Sequence, residues 1–475
     1  MILRAIILSI ATASAVPVVL ESHGGPLPEE AQLRSLLSKA ADADQAADFL
    51  LKHYHDNGFP AVGVEVEDLN GQRLVDIDVA RYGQILLSDG PGRTKKVAQK
   101  MFAKFANQYV DQNKLKGALR SFHTNPLHRA APRLQPSADG LKVDALLRIE
   151  QSDAQQFSVG FYDSGAAPLP RERFWLQGIF SDLWQQNSLT TARFTTAPDP
   201  SEFHALQLGS RLFLDNGQEI DVSLSYSGAS GTQISDFDAY TWQFGAQWAA
   251  AQTVIGAWDG RSRIGLAFRK TNNALEFGEF QNRGKAEVFQ IILGQTFVRN
   301  WEKGTTRIDG SVVLSPYGDD DEYDVLRRGA AGEYGLVRLT ARHRQELKND
   351  WDLVANFRAQ WASDPILHAD QIALGGVNGL RGLTEQFALG DKGYLGGLEL
   401  RTPIFDLTKT WRFRPSVFFQ TGNTIDLVRD TNTSAVTSGI GLEFGNDGGL
   451  AATVYSAWRL DEGGSEIHSQ LSWKF

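Results

Sequence analysis

Arg381 has the most telling setting of any residue in this chain. It lies in Gly375-Gly376-Val377-Asn378-Gly379-Leu380-Arg381-Gly382-Leu383, a glycine-rich stretch. Gly390-Asp391-Lys392-Gly393 and then Leu398-Glu399-Leu400-Arg401-Thr402-Pro403 follow it. The segments on either side alternate apolar and polar residues. A guanidinium costs several kcal/mol in hydrocarbon, so a lipid-facing position is penalised. Inside a polar cylinder the same group can pair with a carboxylate. Gly379 and Gly382 permit positive φ and close backbone approach. The chemistry on offer is electrostatic anchoring of a loop, with no bond made or broken. The plainer alternative is an exposed loop arginine with no partner.

Other chemistry-bearing patterns are weak. Asp89-Gly90-Pro91-Gly92-Arg93-Thr94-Lys95 superficially suggests a phosphate loop. It lacks the G-x-x-x-x-G-K-[ST] spacing, and Pro91 removes an amide donor. His53 and His55 are two apart near a helix end, where they point in different directions and fit a solvated surface. No H-E-x-x-H or G-x-S-x-G occurs. His204 and His343 are scattered, and nothing places a nucleophile beside either. The expectation is no catalytic residue, no metal site and no cofactor, hence no enzyme.

Composition narrows the class. The chain has 475 residues, 42% of them hydrophobic, with 46 Gly and 27 Phe. Mean hydropathy is -0.27, and after the N-terminus no apolar run reaches the roughly 18 residues of a spanning helix. A transmembrane β-barrel remains open, since its strands are only half apolar. Net charge is -9, which offers no basic field for nucleic acid. Cysteine is absent, which excludes disulfides, thiol catalysis and a lipidated cysteine. Arg4, the mostly apolar Ala5 to Ala11 and Ala13-Ser14-Ala15 read as a signal peptide over residues 1–15. A buried first helix is the alternative.

Two similar helix-and-strand patterns follow. Pro28 to Asn57 reads as helical, with stripes Leu33, Leu36, Leu37, Ala40 and Ala46, Ala47, Phe49, Leu50, Tyr54. Gly58 ends the second helix at a left-handed cap. Val62, Val64 and Val66 make a strand, Asn70-Gly71 a two-residue turn, and Leu74 to Val79 the return. The pattern recurs as a strand at Ile85 to Leu87, helices over Lys96 to Tyr109 and Gln112 to Phe122, and strands His128 to Leu134 and Leu141 to Ile149. Each unit is strand–helix–helix–strand–strand. The division is 16–80, 81–152 and 153–475.

After Asp153 the helical period vanishes. Strands are expected to start near Phe157, Arg173, Ser188, Phe203, Gln218, Ala239, Ser262, Lys285, Thr305, Gly332, Asp352, Tyr394, Arg412, Val436, Ala451 and Glu466. That is about sixteen, an even number as closed bacterial barrels need. Ile220, Val222, Leu224 and Tyr226 alternate with Asp221, Ser223 and Ser225. Arg338, Arg342 and Arg344 share a parity and are expected to face inward. In the last strand Ile467, Leu471, Trp473 and Phe475 share a face, and this strand must pair with the first to close the edge. A soluble β-sandwich or β-solenoid would show the same alternation.

These features resemble a known superfamily. Tyr54 with Gly58-Phe59-Pro60, and Asn125-Pro126-Leu127-His128-Arg129 with Pro136, Gly140, Val143, Ala145 and Leu147, resemble POTRA modules. The second set is similar to the barrel-proximal POTRA of two-partner secretion transporters, the haemolysin secretion/activation proteins. The terminal Leu471, Trp473 and Phe475 resemble the barrel-closing signal of outer-membrane proteins. Leu380-Arg381-Gly382-Leu383 resembles the sixth-loop motif, with Leu383 where an aromatic is usual. The resemblance implies that this loop folds into the lumen and that Arg381 pairs with Glu399. It also points to Gln420 in Phe418-Phe419-Gln420-Thr421-Gly422, where an aspartate is usual.

The implied fold is a transmembrane antiparallel β-barrel of about sixteen strands preceded by two small α/β POTRA domains. The implied function is type V, two-partner secretion across the outer membrane of a Gram-negative-type bacterium. Periplasmic POTRA domains would capture an unfolded secreted partner, and the barrel would export it. Implied partners are that polypeptide, outer-membrane lipid and the barrel assembly machinery during biogenesis, with the protein itself a monomer. A plug helix before the first POTRA, usual in that family, does not fit the dozen or so residues after Ala15. The runner-up is an assembly factor that inserts outer-membrane barrels. A diffusion porin or barrel enzyme is the third reading.

Overall fold

The apolar stripes of the N-terminal helices close over two small sheets. In the computed structural model the chain divides into two compact units, Met1–Asp153 and Ala154–Phe475. The structure describes residues 18–24, 28, 30–69, 72–88, 92–123, 125, 128–138, 142–151, 155–163, 169–214, 216–231, 237–272, 284–376 and 379–475. The signal-peptide reading of 1–15, the Asn70-Gly71 turn, Asp89 to Pro91, Pro126-Leu127 and Val377-Asn378 lie outside these residues.

The first module runs β1 (Val18–Gly24), α1 (Glu30–Leu37), α2 (Ala43–Asp56), β2 (Val62–Leu69) and β3 (Gln72–Val79). Its sheet order is β1-β3-β2, with β1 parallel and β2 antiparallel to β3. The Asp42 side chain caps α2 by accepting from the Gln45 N–H. Ala46, Leu50 and Tyr54 then face Val75, Ile77 and Val79, all buried. Gly58 has φ +92, and a Cβ there would lie 2.4 Å from Asn113. Its left-handed turn thus lets the next module approach, and the Gln112 N–H donates to the Gly58 carbonyl at 2.7 Å. β1 carries no strand signal of its own in the sequence. Val18-Val19-Leu20 is too short an apolar run to mark a strand until β3 pairs with it.

The second module repeats the layout with β4 (Tyr82–Leu87), α3 (Gly92–Phe102), α4 (Gln112–Phe122), β5 (His128–Pro136) and β6 (Val143–Gln151), in the order β4-β6-β5. Tyr82, Phe102, Phe105, Phe122 and Leu147 fill its core. The helix expected over Lys96 to Tyr109 ends earlier, at Phe102, with a 3-10 turn at Ala103–Phe105. Asn107 turns left-handed at φ 62. This lets 107–110 lie along β4, where the Asn107 and Gln108 backbones bond Tyr82 at 3.0 and 2.8 Å. Satisfying the edge of β4 outweighs local helix propensity.

The second unit is a closed antiparallel cylinder. Its strands begin β7 (Gln155–Tyr162), β8 (Arg173–Ser181), β9 (Ser188–Thr196), β10 (Phe203–Phe213), β11 (Glu219–Gly231), β12 (Phe237–Ala249), β13 (Thr253–Ile255) and β14 (Trp258–Thr271). Next come β15 (Ala286–Trp301), β16 (Gly304–Ser315), the short helix α5 (Asp320–Leu326), β17 (Tyr334–Glu346) and β18 (Asp352–Ala362). After β18 a long loop contains a two-residue ladder, β19 (Ile372–Ala373) with β20 (Leu389–Gly390). The wall resumes with β21 (Lys392–Arg401), β22 (Phe405–Asp406), β23 (Trp411–Asp426), β24 (Thr431–Asn446), β25 (Leu450–Arg459) and β26 (Ser465–Lys474). The short β13 and β22 extend their neighbours, so the barrel has sixteen strands.

Alternation separates two environments. On β14, Ile264, Leu266 and Phe268 are exposed on the outside, while Arg263 and Arg269 reach carboxylates inside. On β17, Val337 and Leu339 face out, while Arg338 and Arg344 pair with inward carboxylates. An apolar outside that stays uncovered suits hydrocarbon. Among the described residues no helix is long and apolar enough to cross a membrane. β26 closes the cylinder on β7, with Gln470 to Lys474 opposite Tyr162 to Ser158. Phe157 and Phe475 exchange backbone hydrogen bonds at 3.2 and 3.0 Å and stack their rings.

Candidate luminal site

The loop between β18 and β21 builds its own small core. Ile372, Leu374, Leu380 and Leu383 are buried together with Leu395 on β21 and Ala435 on β24. Leu395 and Ala435 are inward wall positions, so the loop is folded back into the barrel. Leu383, standing where an aromatic is usual in the resembling motif, packs in this cluster. Gly382 has φ +94, and a Cβ there would meet Ala457 of β25 at 2.9 Å. Any side chain at 382 would push the loop off the wall. Gly379 serves differently: a Cβ there would come within 2.5 Å of the Gly375 carbonyl.

Arg381 meets four groups on the wall. Its Nη2 donates to Glu399 Oε2 at 3.1 Å. Its backbone N–H and Nε both donate to Gln420 Oε1, at 2.9 and 3.3 Å. Its guanidinium stacks 3.5 Å from the Phe418 ring centroid, with Tyr455 at 5.6 Å. Glu399 sits on β21, while Phe418 and Gln420 are two residues apart on β23 and so share its inner face. Gln420 supplies no charge, yet one oxygen fixes both the backbone and the side chain of the loop. Arg401 shares Glu399, donating to Oε1 at 3.1 Å. A hydrogen bond to a charged group contributes about 1.5–3 kcal/mol.

Two further clasps hold the same loop, and sequence reasoning missed both. Asp370, on the descending limb, accepts from Arg269 Nη2 at 2.7 Å, Tyr334 Oη at 2.9 Å, Gln290 Nε2 at 3.3 Å and Arg338 Nη2 at 3.4 Å. Asp391, at the ascending end, is fully buried. Arg327 grips it with two nitrogens, at 2.6 and 2.9 Å. The Ile366 and Leu427 amides donate to it at 2.9 and 2.8 Å. Arg327 also donates to Asp426 at 2.8 Å and to the Ile366 carbonyl. One guanidinium thereby ties the β16–β17 loop to the ends of β21 and β23. The glycines around Asp391 were a signal of close approach. Arg327 carries none, because its partners are remote in sequence.

Leu471, Trp473 and Phe475 project outward from β26, exposed on the apolar side of the seam. His204 Nδ1 lies near the Pro200 carbonyl and His343 Nδ1 near the Thr306 hydroxyl, on different strands.

Comparison with known proteins places this geometry. The family model of haemolysin secretion/activation protein ShlB/FhaC/HecB matches residues 300–444, the stretch that carries Arg327, Arg381, Glu399 and Gln420. The resemblance is to the two-partner secretion transporters. CdiB from Escherichia coli superposes with a TM-score of 0.81 at 14% identity, covering 100% of this chain and 94% of that one. CdiB from Acinetobacter baumannii gives 0.72 at 13%, covering 100% and 93%. BamA from Haemophilus ducreyi lacking POTRA domains 1-3 gives 0.52 at 12%, covering 95% of each. At these identities the structures speak to fold. No curated protein matches in sequence.

Proposed function

We propose that this protein is an outer-membrane pore that exports a partner polypeptide. Its POTRA modules, in the periplasm, capture the partner unfolded. The barrel passes it to the surface, and no nucleotide is used. One observation carries the reading. A glycine-flanked arginine is turned into the lumen and pinned to β21 and β23, in a barrel that follows two α/β modules. A pore that must stay shut until its substrate arrives needs a loop held by breakable polar contacts. In the first module β2 is an edge strand, which suits capture of an extended chain by strand addition. Outer-membrane lipid surrounds the wall, and the barrel assembly machinery inserts it as a monomer.

Deletion of the gene tests this. Loss of one large polypeptide from the medium, with other outer-membrane barrels at normal levels, is the expected result. A broad fall in barrels points to the second reading, an insertase that opens between first and last strands. That reading draws on the seam, where β26 pairs with β7 over a shorter span than any other neighbouring spanning strands.

A further inference from the structure

The inner face of the β17–β18 pair carries an arginine at four successive levels. In the antiparallel register Arg338 lies opposite Gln360, Thr340 opposite Arg358, Arg342 opposite Asn356 and Arg344 opposite Val354. Inward positions recur every second residue, so the levels are spaced by about 7 Å of strand rise. Arg338, Arg358, Arg342 and Arg344 therefore form a ladder along the lumen wall. Its step equals the spacing of like-facing side chains on an extended polypeptide.

The two outer rungs hold carboxylates of the chain itself. Arg338 meets Asp370 at 3.4 Å, and Arg344 meets Asp352 at 2.7 Å. The two middle rungs do not. Among the described residues no ion pair or hydrogen bond reaches Arg342 or Arg358. Nearby acids are committed elsewhere. Asp309, opposite Thr340 on β16, is gripped by Arg307 at 2.7 and 2.9 Å. Glu399, opposite Val354 on β21, is shared by Arg381 and Arg401. Arg342 is exposed to the lumen and Arg358 is half-buried. Among the described residues neither is tied to the wall by an ion pair.

We propose that Arg358 and Arg342 bind carboxylates of an extended acidic stretch of polypeptide, with acidic side chains at alternate residues. This rests on the reading of the barrel as a polypeptide conduit and names the chemistry of what it carries. The first rung already shows the interaction, since Asp370 reaches it from a loop that is not part of the sheet. The planar guanidinium fork suits a carboxylate. In a hydrated lumen such pairs are salt-sensitive and individually weak. A segment held this way can step along the row, as conduction between multiple weak sites requires.

The test uses the full-length protein purified in detergent and a fluorescent peptide of alternating Asp and Ser, with a Lys/Ser peptide as control. The acidic peptide is expected to bind, and to bind more weakly as salt rises. In Arg342→Gln/Arg358→Gln its affinity should fall by about tenfold. Arg342→Lys/Arg358→Lys should keep salt-sensitive binding. Heat-modifiable migration on gels checks that each variant is folded. If the double glutamine variant fails that check, Arg342→Gln and Arg358→Gln are read singly, each expected to weaken binding. Equal affinity of wild type and glutamine variants, equal binding of the Lys/Ser peptide, or no acidic-peptide binding to wild type would each overturn the assignment. The titration needs no secreted partner, so it fails or succeeds separately from the deletion experiment.

Discussion

Gln420 gives Arg381 a neutral oxygen where a carboxylate would add charge. The loop tip is consequently held by one ionic partner, Glu399, and by two hydrogen bonds to an amide. Gln420→Glu should strengthen the clasp by about 1 kcal/mol. The measurement is the temperature at which the folded gel band converts to the unfolded one. A rise that disappears in an Arg381→Ala background is expected, and an equal rise in both backgrounds would contradict it. The buried clasp at Asp391 should be costlier to break. Asp391→Ala leaves the buried Arg327 guanidinium with Asp426 as its one remaining carboxylate, at a cost of about 3–5 kcal/mol. Denaturant unfolding that matches wild type would contradict this. Glu399 could be read from sequence because the motif resemblance named it as the partner of Arg381. Asp370, Arg327 and Asp426 could not, since their pairing crosses loops and has no period.

Elements show where local pattern was sufficient. The strand starts at Arg173, Ser188, Phe203 and Asp352 agree with the structure, because each follows a polar turn and opens a clean alternation. β24 begins at Thr431, ahead of the expected Val436, since Thr-Asn-Thr-Ser offers no apolar face and pairs with β23 through its backbone. At the α4–β5 corner, His123 Nε2 lies 3.0 Å from the Ala130 amide nitrogen and accepts its proton. Burial, the largest effect, holds this imidazole below its ordinary pKa; the Ala130 carbonyl, 3.1 Å from the same nitrogen, opposes the shift and Arg129 adds to it. The depressed value means the folded module prefers the neutral ring. Its contribution to stability is present above about pH 6.5 and is lost as pH falls through the folded value. Hydrogen exchange at the Ala130 amide should therefore accelerate on acidification in wild type. In His123→Gln the exchange, corrected for intrinsic rate, should not change with pH. The same pH response in both proteins would contradict the assignment.

At the scale of the whole molecule, net composition and local field diverge. The chain carries a net charge of -9, yet inward positions on β14, β16, β17 and β18 include Arg263, Arg269, Arg307, Arg338, Arg342, Arg344 and Arg358. Only closure of the sheet sorts these charges to one side, which is why the composition concealed them. The luminal setting of Arg381 depends on that sorting, and the absence of cysteine makes it directly measurable. Single cysteines introduced along β17 can be probed, in membranes, with a charged thiol reagent and with a lipid-soluble one. Positions 338, 340, 342 and 344 should react with the charged reagent, and positions 337, 339 and 341 only with the lipid-soluble one. Reaction of both sets with the charged reagent would contradict the barrel, and with it the luminal setting of Arg381.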